Sequence, residues 1–210
     1  MTEMKQVRLS GFGGQGVVLA GLLLGHAGVM EWRHVSGSNS YGAEARGSGC
    51  KSEIVFSDSL IDFPHLTTAD ILVAMSQGAY DIYCQDVKEA GLILYDQGLL
   101  TPKVELKVKQ QGVPATEIAV KKLKNKQVAN IIFLGALIEI TKIVSQKSVQ
   151  KAISLHMSET FRVLNFKALQ TGIELGRRNT PQLCRNLPGS GRNGGENLIA
   201  GTSARLQSTK

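Results

Sequence analysis

The sequence predicts an α/β fold, a mostly parallel sheet with helices on both faces, and three observations carry that expectation. Apolar stretches of strand length alternate with longer segments of helical period along most of the 210 residues. A glycine-rich turn, Gly11-Phe12-Gly13-Gly14-Gln15-Gly16, separates the first strand pattern from the first helix pattern. With 42% hydrophobic and 20% charged positions, the chain is long enough to bury one good core.

Taken in order, Gln6-Val7-Arg8-Leu9 alternates polar and apolar residues up to the glycine turn, and Val17 to Met30 is apolar at nearly every position and free of proline. This is strand, turn and buried helix. His34-Val35-Ser36 forms a short second strand, an irregular polar stretch runs from Gly37 to Gly49, and Lys51 to Phe56 is a strand closed by Ser57-Asp58. Ala69 to Ala74 is a buried parallel strand; Ser76 caps a helix from Gln77 to about Ala90, and Gly91 stops it before the strand Leu92 to Tyr95. A further strand is expected at Val104 to Lys109, then a helix capped by Thr116 and running through Leu123. Val128 to Lys142 reads as a strongly apolar helix, followed by amphipathic segments at about Val149 to Met157 and Glu159 to Leu175. The domain is therefore expected to span residues 1–176. Residues 177–210 hold Pro181, Pro188 and five glycines without a periodic apolar face, and are expected to be a disordered, flexible basic tail.

The net charge of +7 follows the same division. From Arg177 onward six basic residues stand against one acidic residue, a balance of +5, which leaves only +2 for the rest of the chain. Basicity confined to a tail is no patterned recognition surface, so no nucleic-acid partner is expected. The run Lys121-Lys122-Leu123-Lys124-Asn125-Lys126 reads as a solvated helix end. No stretch of membrane-spanning length is apolar throughout, and the N-terminus opens directly into a strand-like segment, so a soluble cytoplasmic protein without membrane contact is expected. Cys50, Cys84 and Cys184 lie far apart and form no CxxC clip, which predicts reduced thiols and no metal or iron–sulfur site in this chain.

Gly11, Gly13 and Gly16 satisfy G-x-G-x-x-G in the Rossmann-like position between strand and helix. Glycines there allow a tight turn and let backbone N–H groups at a helix N-terminus approach a phosphate or a neighbouring subunit. A dinucleotide site also needs an acid about 20 residues further on, at the end of the second strand. Glu31 has the separation but precedes that strand. A free-standing NAD(P)-binding oxidoreductase is therefore the alternative reading. The second constellation, Ser38 to Gly49, holds three glycines, Tyr41 and the pair Glu44 and Arg46. Arg46 can fork onto a phosphate or carboxylate. The stretch is equally readable as a surface loop with a local ion pair worth under about 1 kcal/mol.

Gly-Phe-Gly-Gly-Gln-Gly-Val at 11–17 and Ser-Tyr-Gly-Ala-Glu-Ala-Arg-Gly at 40–47, followed by Ser52-Glu53-Ile54-Val55-Phe56-Ser57 and Ile61-Asp62-Phe63-Pro64, together resemble the gamma subunit of 2-oxoacid:ferredoxin oxidoreductases. The resemblance covers about residues 4 to 176 and is greatest to the 2-oxoglutarate branch, with the branched-chain enzymes next and the pyruvate enzymes less similar. It implies an accessory subunit, not catalytic alone, of a complex that decarboxylates a 2-oxoacid on thiamine diphosphate, passes electrons through iron–sulfur clusters to ferredoxin and forms an acyl-coenzyme A. Thiamine diphosphate and the clusters are implied to lie on alpha-type, thiamine-binding and ferredoxin-like partner subunits, with no cofactor held by this chain alone. Assembly and help in receiving coenzyme A are its implied share. The matching positions are Gly11, Gly13, Gly14, Gln15 and Gly16, and Tyr41, Gly42, Glu44, Arg46 and Gly47; Ser48 departs from the family's frequent glycine. His26 is expected to pack in the core, and His34, His65 and His156 have no catalytic partner at motif spacing. No catalytic residue is expected.

Overall fold

The computed structural model describes residues 4–41 and 49–179. In chain order its elements are β1 (Lys5–Phe12), α1 (Val17–Met30), β2 (His34–Tyr41), β3 (Gly49–Ser57), β4 (Ala69–Ala74), α2 (Gln77–Tyr83), β5 (Val87–Asp96), β6 (Lys109–Val113), α3 (Ala115–Lys121), α4 (Ala129–Thr141), α5 (Gln146–His156) and α6 (Glu159–Asn179). The six strands form one mixed sheet in the order β2-β3-β1-β4-β5-β6. β1, β4, β5 and β6 run parallel, whereas β3 is antiparallel to both β1 and β2. The α/β class with a mostly parallel sheet is thus the architecture found.

Apolar side chains that alternate along the strands divide the core in two. Val7, Leu9, Ile71, Val73 and Leu94 face the larger core with α1 and with α3 to α6. Leu72, Ala74 and Ile93 face a smaller one, closed by Tyr80 and Cys84 and by Leu100 and Val108 from the segment between β5 and β6. Helices cover both faces, but unevenly: among the described residues α2 is the α-helix on the second. α4 is apolar on every side because it is surrounded, and Ile131 to Leu137 is buried without a break. Its contact with α6 is backbone on backbone, for a Cβ on Gly172 would collide with the Ile132 carbonyl oxygen.

Several boundaries differ from expectation. The polar stretch after Ser36 continues β2 through Tyr41, because each residue of Ser-Gly-Ser-Asn-Ser pairs with β3 and polar side chains at a sheet edge stay in water. Ser76 does cap α2, accepting from the Ala79 N–H at 3.3 Å, but the helix ends at Tyr83 and a short 3₁₀ turn leads into β5 at Val87. Gly91 lies inside that strand, where the register slips between Ala69 paired with Val87 and Ile71 paired with Leu92. Lys88, extruded by the slip, is held by Asp70 at 2.8 Å. The strand expected at Val104 to Lys109 begins only at Lys109; the residues before it fold over Tyr80, whose hydroxyl accepts from the Lys103 N–H at 2.8 Å. Thr116 caps nothing with its side chain; its N–H donates to the buried Asp96 carboxylate at 3.0 Å. α6 runs through Arg177 and Arg178 to Asn179, and the rest of the expected tail lies outside the described residues.

Candidate functional site

β1 ends in the glycine turn, and two residues of that turn have left-handed backbone: Gly14 at φ 90° and Gly16 at φ 72°. A side chain at Gly16 would be strained twice over, since its Cβ would also strike the Asn130 carboxamide. Asn130, on α4, donates to the Gly16 carbonyl at 3.0 Å and so fixes the turn from below. Gln15 closes it from above. Its Oε1 accepts from the Phe12 N–H at 2.6 Å and its Nε2 donates to the Met75 carbonyl at 2.9 Å, tying the turn to the end of β4. Gln15 is thus a clamp within the chain.

α1 starts at Gly16 without a side-chain cap, and no acidic residue occupies its first turn. α4 instead continues a short 3₁₀ turn at Lys126–Val128 that Asn125 caps, accepting from the Gln127 N–H at 2.9 Å, and the Ile131 N–H is taken by the Asn130 side chain at 2.9 Å. The backbone amides of an uncapped helix start favour an anion. Between them opens a cleft of about 280 Å³, lined by Gly13, Gly14, Gln15, Met75, Thr116, Lys126, Gln127, Ala129 and Phe133. Its walls are largely apolar and Lys126 is the cation on its rim. Among the described residues no carboxylate, imidazole or thiol lines it, while its apolar walls and Lys126 can bind and orient a ligand.

The second motif leaves the sheet beside the first. Cys50 on β3 pairs with Gly11 on one side and with Tyr41 on the other, so all three lie on one rung across the sheet. At the usual strand spacing Gly11 and Tyr41 are about 10 Å apart. Tyr41 is exposed, while burial pushes the Cys50 thiol up from its ordinary range. Gly42, Glu44, Arg46 and Gly47 lie outside the described residues. Midway along this hairpin a buried ion cluster joins three strands. Glu53 on β3 accepts from Arg8 of β1 at 2.8 Å and from Lys51 at 3.0 Å, and Ser38 of β2 donates to its other oxygen at 3.4 Å. Asp86 completes the Arg8 side at 3.2 Å, and the guanidinium stacks over the Tyr83 ring. Burial pushes the Glu53 carboxyl up, yet the bonds from Lys51 and Arg8 outweigh it and hold the group below its usual value.

Other titratable groups serve structure. Glu31, which has the sequence separation of a ribose-binding acid, instead accepts from the Ser145 N–H at 2.7 Å at the start of α5, far along the chain from the turn. His26 is half-buried rather than packed in the core, and its ring is hydrogen-bonded to His156 across α1 and α5. Burial, then the neighbouring imidazole, lowers the pKa of His26. A larger cavity of about 430 Å³ opens at the opposite end of the sheet, beside Lys5, Arg33, Asp58, Asp70 and Lys142. Its charges are already committed, Arg33 to Asp58, Lys88 to Asp70 and Lys142 to Glu139. Among the described residues no group of three or more His, Cys, Asp or Glu is placed to hold a metal, and no helix is long and apolar enough to cross a membrane. Sequence reasoning missed Asn130, Met75, Thr116 and Phe133. Only Lys126 carried a signal, the basic run, and that run was read as solvated.

A family model described as pyruvate ferredoxin/flavodoxin oxidoreductase matches residues 6–175. The 2-oxoglutarate synthase subunit KorC of Methanocaldococcus jannaschii is 45% identical over 176 residues, covering 82% of this chain and 94% of KorC. The ketoisovalerate oxidoreductase subunit VorA of Methanothermobacter marburgensis is 35% identical over 178 residues, which are 83% of this chain but only 37% of VorA. The keto/oxoacid ferredoxin oxidoreductase gamma subunit of Geobacter sulfurreducens superimposes with a TM-score of 0.74 at 35% identity, over 83% of this chain and 99% of that one. The 2-oxoglutarate:ferredoxin oxidoreductase of Magnetococcus marinus, solved with 2-oxoglutarate, coenzyme A and succinyl-CoA bound, shares the fold at 22% identity, with a TM-score of 0.77, over 85% of this chain and 32% of that one.

Proposed function

The chain belongs to the pyruvate ferredoxin/flavodoxin oxidoreductase family, and from that premise we propose that its glycine turn, the adjoining cleft and the tip of the β2–β3 hairpin receive coenzyme A. It is the gamma subunit of a 2-oxoacid:ferredoxin oxidoreductase of the 2-oxoglutarate synthase type, an accessory chain of an enzyme that converts a 2-oxoacid to an acyl-coenzyme A. The observation that carries the site is the rung Gly11–Cys50–Tyr41, which launches both motif loops from neighbouring positions at one end of the sheet. Coenzyme A combines a phosphate-rich end with a thiol-bearing arm. The uncapped start of α1 and Lys126 suit the phosphates, and the apolar wall of Met75 and Phe133 suits the arm. Arg46 adds a fork for a further phosphate oxygen.

Thiamine diphosphate and the iron–sulfur clusters belong, in this reading, to the alpha-type, thiamine-binding and ferredoxin-like subunits, with ferredoxin as the electron acceptor. Thiamine diphosphate supplies the decarboxylation there; this chain's residues bind and orient the acyl acceptor and contribute no proton transfer. The free-standing dehydrogenase reading loses its ribose-binding acid, since Glu31 is committed to Ser145. In the assembled complex, Arg46→Ala and Lys126→Ala should each raise the KM for coenzyme A roughly tenfold, the effect of one lost charge-assisted contact, with kcat little changed. Unchanged KM and kcat in both variants would remove coenzyme A from this site.

A further inference from the structure

The end of α3 and the turn after it hold four lysines in six residues, Lys121 to Lys126. The turn is braced throughout. The Lys122 and Leu123 N–H groups both donate to the Ile118 carbonyl, at 2.9 and 3.3 Å, and the Asn125 N–H donates to the Ala119 carbonyl at 3.0 Å. Leu123 packs against the core, and the Asn125 side chain accepts from the Gln127 N–H at 2.9 Å. Within this frame Lys124 has left-handed backbone at φ 55°, a conformation that glycine or asparagine ordinarily supplies after a helix. The chain holds a charged side chain at a position whose backbone favours none.

Of the four, Lys121 is paired, with Glu117 at 2.8 Å. Lys122, Lys124 and Lys126 are exposed, and among the described residues their side chains have no hydrogen-bond or ion-pair partner. Asp96, beside the start of α3, is buried and accepts from the Gly98 and Thr116 N–H groups. Lys126 lines the cleft next to the glycine turn, and Lys124 stands two residues away, within about 7 Å of it along the backbone. The other lining residues are uncharged, and so is α1. Among the described residues the positive charge of the rim is therefore gathered at the α3–α4 connection.

A cleft of about 280 Å³ cannot enclose coenzyme A, which is larger than the drug-sized ligands that fill about 300 to 1,000 Å³. Part of the coenzyme has to lie across the rim. Its phosphates stand at separate places, a diphosphate bridge and a monoester on the ribose 3′-oxygen. A phosphate monoester carries about −1.5 to −2 charges at neutral pH and offers three acceptor oxygens, which a group of ammonium point charges suits. We propose that Lys122 and Lys124, beside Lys126, bind this 3′-phosphate and make the chain select coenzyme A over its dephospho form. The start of α1 is then left to the diphosphate, and the apolar wall to the thiol arm. The inference rests on the coenzyme A reading of the cleft, and its test separates the two.

Steady-state kinetics of the assembled complex are recorded with coenzyme A and with dephospho-coenzyme A as acyl acceptor, for the wild type, Lys122→Gln/Lys124→Gly, Arg46→Ala and Lys126→Ala. Thermal unfolding of the free wild-type and double-variant chains is followed alongside. Glycine accepts φ 55° without strain and Lys122 is exposed, so the double variant should unfold no earlier than the wild type. The wild type should show a KM for dephospho-coenzyme A about tenfold above that for coenzyme A. In the double variant the KM for coenzyme A should rise about tenfold, with the KM for the dephospho form and kcat little changed. A KM that rises equally for both acceptors makes the lysines a general attraction for anions and overturns the 3′-phosphate assignment. So does a wild type that accepts both forms equally, or a double variant with an unchanged KM for coenzyme A. In each of these cases the coenzyme A reading stands as long as Arg46→Ala or Lys126→Ala raises the KM, and it falls with the proposal when neither does.

Discussion

Gly16 and Glu53 show how single residues set the geometry of the two loops. Gly16 combines a left-handed φ with contact to the Asn130 carboxamide, so Gly16→Ala suffers both backbone strain and a steric clash. A loss of about 2 to 4 kcal/mol is expected, read as a lower denaturation midpoint in urea. Gly14, although left-handed, has open space around its α-carbon, so Gly14→Ala should cost only about 1 kcal/mol. Glu53 acts through charge. Its folded pKa lies below the ordinary 4.5, so its contribution is complete above that pH and is lost as the pH falls through the lower, folded value. Glu53→Gln strands Arg8 with only the half-exposed Asp86 and should destabilise by about 2 kcal/mol or more at neutral pH. The variant should also lose part of the acid-dependent decline of stability below pH 4.5, which unfolding measured across pH would reveal.

At the scale of elements, the packing of α4 on α6 depends on Gly135 and Gly172 meeting backbone to backbone. Gly172→Val would force the helices apart and destabilise by roughly 3 kcal/mol, lowering the thermal midpoint by several degrees. The β2–β3 hairpin poses the opposite case. Little apolar surface holds β2, whose residues are exposed or half-buried, yet its register is fixed by paired backbone and by Glu53 midway along the hairpin. Glu53→Gln should therefore increase amide hydrogen exchange in β2 and the start of β3 before it affects β4 or β5.

For the whole molecule, the division of labour follows from what each end of the sheet presents. The carboxyl end offers an apolar cleft, the uncapped start of α1 and a cation, while among the described residues no carboxylate, imidazole or thiol lines the cleft. The isolated chain should accordingly show no turnover of a 2-oxoacid with coenzyme A and ferredoxin, and activity should appear only when the companion subunits are added. Turnover by the chain alone would contradict its accessory role.

The sequence by itself determined the α/β class, the glycine turn between β1 and α1, the capping of α2 by Ser76 and the pairing of two loop motifs that marks the family. These are local matters: turn chemistry, a capping hydroxyl and apolar period act within a few residues. It could not reveal β2 beyond Ser36, because Gly37 to Tyr41 is strand by virtue of hydrogen bonds to β3 and not by any apolar pattern of its own. Nor could it reveal β5 at Val87, since its first pair with Ala69 exists only through a slip in register. Asn130 beneath Gly16, Glu31 at the start of α5 and the cleft wall of Met75, Thr116 and Phe133 all join residues distant in the chain. The glycine turn was legible as a motif, but only the tertiary structure decided that Gln15 and Asn130 hold it rigid, that Lys126 stands on its rim, and that Tyr41 lies on the same rung as Gly11. Long-range packing and strand register settle such neighbours, and neither is written in the local order of side chains.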